Sequence, residues 1–223
     1  MKNVNGVEVF NTMAEILDPV HTALLVIDVQ NDGVRPEGWF GQNGKDTSAA
    51  IEMLPRLVAL VAAARGAGVL PIFIQQTTLS ANKSDPPAWL YFKTRDGRTR
   101  TDYSIEGTWG HQVVDELDVQ DSEIRVTKFR PSAFHGTPLD DLLKTNGIRS
   151  VVTCGVVSQG CVQATTMDAS FHDYYTVIAE DCIAGYNPEL HDNAITFMKS
   201  RYDAVTGERL AALWAGIKDG SNA

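Results

Sequence analysis

The sequence predicts an α/β fold: a single doubly wound domain, with a mostly parallel sheet of about six strands and helices on both of its faces. Three observations carry this expectation. Apolar runs of strand length alternate with segments of helical periodicity along almost the whole chain. The first such run, Thr22–Val29 (TALLVIDV), is apolar at nearly every position, as a parallel strand covered on both faces must be. No repeat, linker or low-complexity segment divides the 223 residues, a length that suits one domain with a proper core, so 1–223 is read as one unit.

Residues 1–20 read as a polar lead-in, packed on the surface or against a partner chain. After the first strand, Ser48–Arg65 has helical periodicity, with Ile51, Leu54, Leu57, Val58, Val61 and Ala62 along one stripe. Gly66 and Gly68 are expected to stop it. Val69–Gln75 is the second strand. From Thr77 to about Gly110 the pattern breaks into a long loop rich in Pro and aromatic residues, of the kind that is usually functional or flexible. His111–Leu117 reads as a short helix and Glu123–Thr127 as the third strand. Thr137 and Pro138 open a helix over Pro138–Thr145 as N-cap and first helical residue, and Gly147 ends it. Ser150–Gly155 is the fourth strand, Gly160–Phe171 a helix, Thr176–Ala179 the fifth strand and Pro188–Ser200 a helix. Ala204–Val205 makes a short last strand before a helix over 207–217.

Composition excludes several classes of function. The hydrophobic fraction is 43%, the charged fraction 21% and the formal net charge -9. An acidic chain without a basic stripe has no electrostatic means of holding nucleic acid. Arg95, Arg98 and Arg100 cluster, but in a polar stretch that reads as a solvated loop. No apolar run approaches the ~20 residues that span a bilayer, and the N-terminus shows no signal pattern. Three cysteines, Cys154, Cys161 and Cys182, do not make a disulfide framework. These features predict a soluble, reduced, cytoplasmic protein with no nucleic-acid or membrane partner.

Ligands of open parallel sheets bind at the carboxyl ends of the strands. Asp28 stands at the end of the first strand, Lys128 after the third, and Cys161 after the fourth, beyond the turn Gly155–Gly160. Each has a plain structural alternative: a turn cap, a surface lysine, a small buried hydrophobe. Cys154 and Cys182, within apolar runs, suit the last of these. Cys161 differs in its place at the start of a helix, where backbone N–H groups and the helix dipole are expected to lower a thiol's pKa and a nearby lysine to lower it further. Such a thiolate would attack an amide or ureido carbonyl. Asp28 would shuttle protons between thiol, leaving nitrogen and water, and Lys128 would orient the pair.

The spacing of Asp28, Lys128 and Cys161 resembles the isochorismatase-like cysteine hydrolase superfamily, over about Thr22 to Val205. The matching pieces are Leu24–Asp32, Lys128–Phe134 and Gly155–Val162. The resemblance implies a six-stranded parallel sheet, a cis peptide bond between Val156 and Val157, and an oxyanion hole made by the N–H groups of Val157 and Cys161. Gly107–Gly110, Ser132–Phe134 and Pro188–His191 point to the branch of N-carbamoylsarcosine amidase and ureidoacrylate amidohydrolase. Nicotinamidases usually carry an Asp-x-His metal group after the second strand. Here that place reads Gln75-Gln76-Thr77, so no metal and no other cofactor is expected. Isochorismatases proper tend to lack the nucleophilic cysteine, so Cys161 points to amide chemistry. Carbamoylsarcosine-type relatives hold a substrate carboxylate with an arginine where this chain has Tyr186. Arg130 is then the other candidate anion contact, against a structural salt bridge. Relatives also imply a homodimer or homotetramer whose active site a neighbouring chain often completes.

The substrate-binding candidates are therefore Phe40, Trp89, Trp109, Phe129, Arg130, Phe134 and Tyr186, with Trp39 a further wall residue. Each aromatic has core or interface packing as its alternative. His135 is open, and His191 is expected to meet backbone or a neighbour rather than substrate. The function expected is cysteine-dependent amidohydrolysis of a small carbamoyl, ureido or amide substrate through a thioester. The alternatives are a metal-assisted nicotinamidase-like deamidase and a non-catalytic binding member of the fold.

Overall fold

A computed structural model describes residues 1–95, 97 and 101–218. Of the arginine cluster read in the sequence, Arg98 and Arg100 fall outside that range. The strands are β1 (Lys2–Val4), β2 (Val7–Val9), β3 (Thr22–Ile27), β4 (Leu70–Gln76), β5 (Ile124–Lys128), β6 (Ser150–Val156), β7 (Tyr175–Ala184) and β8 (Asp203–Val205). The helices are α1 (Met13–Ile16), α2 (Asn31–Val34), α3 (Trp39–Gln42), α4 (Ser48–Ala67), α5 (Pro87–Thr94), α6 (Leu139–Thr145), α7 (Gln163–Phe171), α8 (Pro188–Lys199) and α9 (Gly207–Lys218).

Strands β3 to β8 form a parallel sheet in the order β5-β4-β3-β6-β7-β8. From β3 the chain winds outward through β4 to β5, then returns to pair β6 on the other side of β3. The winding direction thus reverses between β3 and β6, and a cleft opens at the carboxyl ends of strands at such a switch point. Alternation along β3 builds two core layers. Leu24 and Val26 pack with Leu57 and Leu60 of α4 and Leu210 and Trp214 of α9. Ala23, Leu25 and Ile27 pack with Leu139 and Leu143 of α6, Ala169 of α7 and Met198 of α8. Helices therefore cover both faces, which is why the strands read as unbroken apolar runs. Gly155 lets β6 approach β3: its φ is +112°, and a Cβ there would lie 2.1 Å from the Ile27 carbonyl oxygen.

Several local expectations are corrected. The lead-in holds an exposed antiparallel hairpin, β1–β2, and the turn α1, whose Thr12 and Glu15 cap it reciprocally. Helix α4 runs through Gly66 and ends at Gly68, in the left-handed conformation. Its buried face is Ala50, Met53, Leu54, Leu57, Leu60, Val61 and Ala64, while Ile51 is 38% exposed and Ala62 lies on the surface. The helix is apolar nearly all round, so its periodicity fixed the rotation poorly. His111–Leu117 is not a helix but two 3₁₀ turns, Trp109–His111 and Asp115–Leu117. Helix α6 begins one residue late: Pro138 is its cap, and the Thr137 hydroxyl accepts from Leu139 N–H at 3.2 Å. The long loop contains α5, started by Pro87 at its first helical position. Among the described residues, no helix is long and apolar enough to cross a membrane.

Candidate active site

Three strand ends meet at the switch point. Past β3 the chain turns at Asp28, whose φ of +53° an Asp tolerates better than most residues. Its N–H donates to the Ile74 carbonyl at 2.9 Å, and its own carbonyl accepts from Gln30 N–H at 2.8 Å. The carboxylate is clamped on one side, where Oδ1 accepts from Gln76 N–H at 2.8 Å. Oδ2 lies 2.8 Å from Lys128 Nζ, an ionic contact without hydrogen-bond alignment, so this oxygen keeps accepting capacity. Lys128 is the last residue of β5 and is 0% exposed. Its ammonium also donates to Gln76 Oε1 at 3.0 Å, Arg130 O at 3.1 Å and Cys161 Sγ at 3.2 Å. A buried cation survives in an apolar sheet only with such a set of acceptors. Cys161 lies in the π-helical turn Ser158–Val162, reached through a cis Val156–Val157 peptide bond.

The electrostatics differ from the sequence expectation. Burial, and then the Asp28 carboxylate, push the Cys161 thiol up to about 12, and Lys128 only partly opposes them. The expected depression fails because the thiol is buried and because a like charge, the Asp28 carboxylate, faces it, while Cys161 lies near the end of a π turn rather than at the first turn of an α-helix. Both influences favour the protonated thiol over the thiolate. Burial works against the Lys128 ammonium, yet the Asp28 charge, aided by the sulfur that accepts the ammonium's hydrogen bond, holds its pKa above the ordinary lysine value.

Asp28 and Cys161 open onto a cavity of about 220 Å³, which the fully buried Lys128 does not line. Of the substrate-binding candidates, Phe40, Trp89 and Tyr186 line it, as does Val157. Tyr186 is held there by donating to Gly33 O at 2.8 Å and by stacking on Phe40, ring centroids 5.2 Å apart. Trp109, Phe129, Arg130 and Phe134 do not line it. Trp109 is 50% exposed and serves through its carbonyl, which accepts from Asn31 Nδ2 at 2.9 Å. Phe134 is 8% exposed in the second core layer and stacks on His172. Arg130 sits 5.0 Å from the Trp89 ring and donates to Ser84 O, so it braces a wall residue rather than entering the cavity. Phe129 is half-buried outside the cavity. Trp39 is buried behind Phe40 and Tyr103. His135 is exposed, and neither it nor His191 reaches the cavity.

Sequence reasoning missed Gln30, Gln76, Phe92, Lys93, Tyr103 and Pro131, which also line the cavity. Phe92 and Lys93 arrive on α5. Lys93 is buried, paired to Asp85 at 2.7 Å and 4.4 Å from the Tyr103 ring. Burial pulls its pKa below the ordinary lysine value. The Pro86-Pro87 pair was the available signal for this helix. The end of β4 and the residue after it, where nicotinamidases place metal ligands, do not fit an ion. Gln75 donates to His111 O, Gln76 holds Lys128, and the Thr77 hydroxyl meets His111 Nε2 at 2.8 Å. Among the described residues, no group of three His, Cys, Asp or Glu comes together to hold a metal.

Comparison with known proteins follows the same lines. A family model described as Isochorismatase domain matches residues 22–209. Ureidoacrylate amidohydrolase RutB of Enterobacter sp. (strain 638) is 34% identical over 188 residues, covering 80% of this chain and 82% of that protein. A crystal structure of a cysteine hydrolase from Pseudomonas syringae pv. phaseolicola 1448A superposes with a TM-score of 0.77 over 89% of this chain and 94% of that one. At 19% identity it speaks to the fold alone. N-carbamoylsarcosine amidase from Thermoplasma acidophilum gives a TM-score of 0.67 at 25% identity, over 84% of this chain and 97% of that one. The matched family model spans all six strands of the main sheet and the three residues that meet at its switch point: the chain belongs to the isochorismatase domain family.

Proposed function

We propose that the protein hydrolyses a carbon–nitrogen bond of a small carbamoyl, ureido or amide compound through a thioester on Cys161. The observation that carries this reading is the contact of one buried ammonium, Lys128 Nζ, with both the Asp28 carboxylate and the Cys161 sulfur. The relatives named for ureidoacrylate and N-carbamoylsarcosine support the substrate class.

The neutral thiol sets the order of proton movements. As sulfur attacks the carbonyl, its proton passes to Asp28, whose Oδ2 has accepting capacity on that side. Lys128 holds the carboxylate and the sulfur in register and offsets negative charge on either. The N–H groups of Val157 and Cys161 receive the developing oxyanion. Asp28 then gives its proton to the nitrogen, the C–N bond breaks, and ammonia or amine leaves. The same carboxylate takes a proton from water, whose oxygen attacks the thioester. Asp28 finally returns the proton to sulfur, and the acid departs.

The test is ammonia or amine release from carbamoyl, ureido and aromatic amides, with Cys161→Ala as control and mass spectrometry of the acid-quenched enzyme. We expect turnover, an acyl adduct on Cys161, and loss of both in the variant. Full turnover by a folded Cys161→Ala protein would refute the mechanism.

A further inference from the structure

Gln30 lines the cavity and is 1% exposed. Its amide nitrogen donates twice, to Gln76 O at 3.0 Å and to His111 O at 2.7 Å. Both amide hydrogens are thereby engaged, and the orientation is fixed, because the flipped amide would set its oxygen against two carbonyls. The oxygen, Oε1, has no hydrogen-bond partner among the described residues. Buried acceptors are rarely left so, and one carried by a residue that lines a cavity calls for a donor that the ligand brings.

The neighbourhood says which donor. Gln30 lies two residues past Asp28 and is tied to it through its own N–H. Gln76 clamps both: its N–H holds Asp28 Oδ1 while its carbonyl holds Gln30 Nε2. The proton-carrying carboxylate and the unpaired acceptor therefore share one anchor. Resting on the amidohydrolase reading, we propose that Gln30 Oε1 accepts a hydrogen bond from the N–H of the substrate's leaving nitrogen. That bond turns the nitrogen so that its lone pair faces Asp28, and it makes the site select amides and ureas over esters of the same shape. An ester oxygen brings no hydrogen and would press its lone pairs against Oε1, and a site built to receive an N–H rejects the analogue that lacks it. The Tyr186 hydroxyl does not fill the role of donor to Oε1, since its hydrogen is given to Gly33 O.

The test uses N-methylbenzamide and methyl benzoate, which differ by N–H against O and suit the aromatic walls Phe40, Trp89 and Tyr103. Binding is measured by calorimetry on the Cys161→Ala protein, which cannot turn them over. We expect the amide to bind about tenfold more tightly, the factor one hydrogen bond carries. In Cys161→Ala/Gln30→Met the ratio should collapse toward one. Gln30→Met also removes two bonds to backbone, so its fold is checked by thermal melting. The comparison of the two ligands on the Gln30-containing protein needs no such variant. Equal affinities there, binding of neither ligand, or an amide preference that survives in folded Gln30→Met would overturn the proposal. Tight amide binding without hydrolysis by the wild-type enzyme would instead refute the amidohydrolase reading while leaving the N–H contact standing.

Discussion

Replacing Asp28 by asparagine should make Cys161 more reactive toward iodoacetamide while abolishing turnover. The thiol sits at about 12 because of burial first and the Asp28 charge second. Below that value its reactivity follows the small thiolate fraction, so alkylation rises with pH. The Asp28 Oδ2 and Cys161 Sγ atoms touch the same ammonium at 2.8 and 3.2 Å, so they stand within 6.0 Å of one another. At an effective dielectric constant of about 20, removing a unit charge at that distance relieves a thiolate of about 3 kcal/mol. The thiolate fraction at a fixed pH near neutrality then rises about a hundredfold. A less basic thiolate is a poorer nucleophile, with a Brønsted slope of about 0.4–0.5, which leaves about a tenfold gain in alkylation rate. The assay is time-resolved mass spectrometry of the alkylated chain, with fully buried Cys154 and Cys182 as silent internal controls. An unchanged or slower rate in a folded Asp28→Asn protein would show that this charge does not hold the proton on sulfur.

Three other perturbations probe the frame around that pair. Lys128→Met leaves the Asp28 charge buried without its counter-ion, so scanning calorimetry should record a loss of about 3–5 kcal/mol and a midpoint lower by roughly 6–20 °C. A midpoint within about 2 °C of wild type would show that Lys128 does not stabilise the fold. Gly155→Ala forces a Cβ to 2.1 Å from the Ile27 carbonyl at a φ that side chains rarely adopt. It should cost more than about 4 kcal/mol and abolish soluble expression, whereas a well-expressed, stable variant would contradict the close approach of β6 to β3. Burial lowers the His111 pKa, so folding favours the neutral ring. Its contribution to stability is full above the ordinary histidine value and is lost as the pH falls through the folded-state value. Melting curves between about pH 8 and pH 5 should fall less steeply for His111→Gln, and equal slopes would remove His111 from the account.

What the sequence made legible follows from which forces are local. The strands were readable because both sheet faces are covered and β3 is apolar without interruption. The meeting of Asp28, Lys128 and Cys161 was readable because parallel strands deliver their ends to one edge whatever the loops do. The walls of the cavity were not. Phe134 and Trp109 lie close in sequence to residues at the cavity, yet one packs into the core and the other faces solvent. Phe92 and Lys93 come from a segment without clear apolar periodicity, held in place by the Lys93–Asp85 pair, a contact that no periodicity reveals. The thiol's pKa was misjudged for a related reason. Helix position is a local cue, whereas burial and the facing carboxylate arise only once three separated segments pack together.

Gln76 shows how the distant contacts become chemistry. By residue type it offers no reactivity, and in the sequence it marked only the place of a missing metal ligand. In the fold it ends β4, the strand between β3 and β5, in register with Lys128. Its N–H fixes Asp28 Oδ1, its Oε1 fixes the Lys128 ammonium, and its carbonyl fixes the Gln30 amide. Strands in a sheet are spaced ~4.8 Å apart, so β3 and β5 stand nearly 10 Å apart, too far for the short Asp28 side chain to close alone. The long Lys128 side chain bridges that gap, and Gln76 determines where along it the ammonium comes to rest. The distance between proton carrier and sulfur is thus a property of sheet pairing, which is why we expect damage to Lys128 to appear in stability as well as in rate.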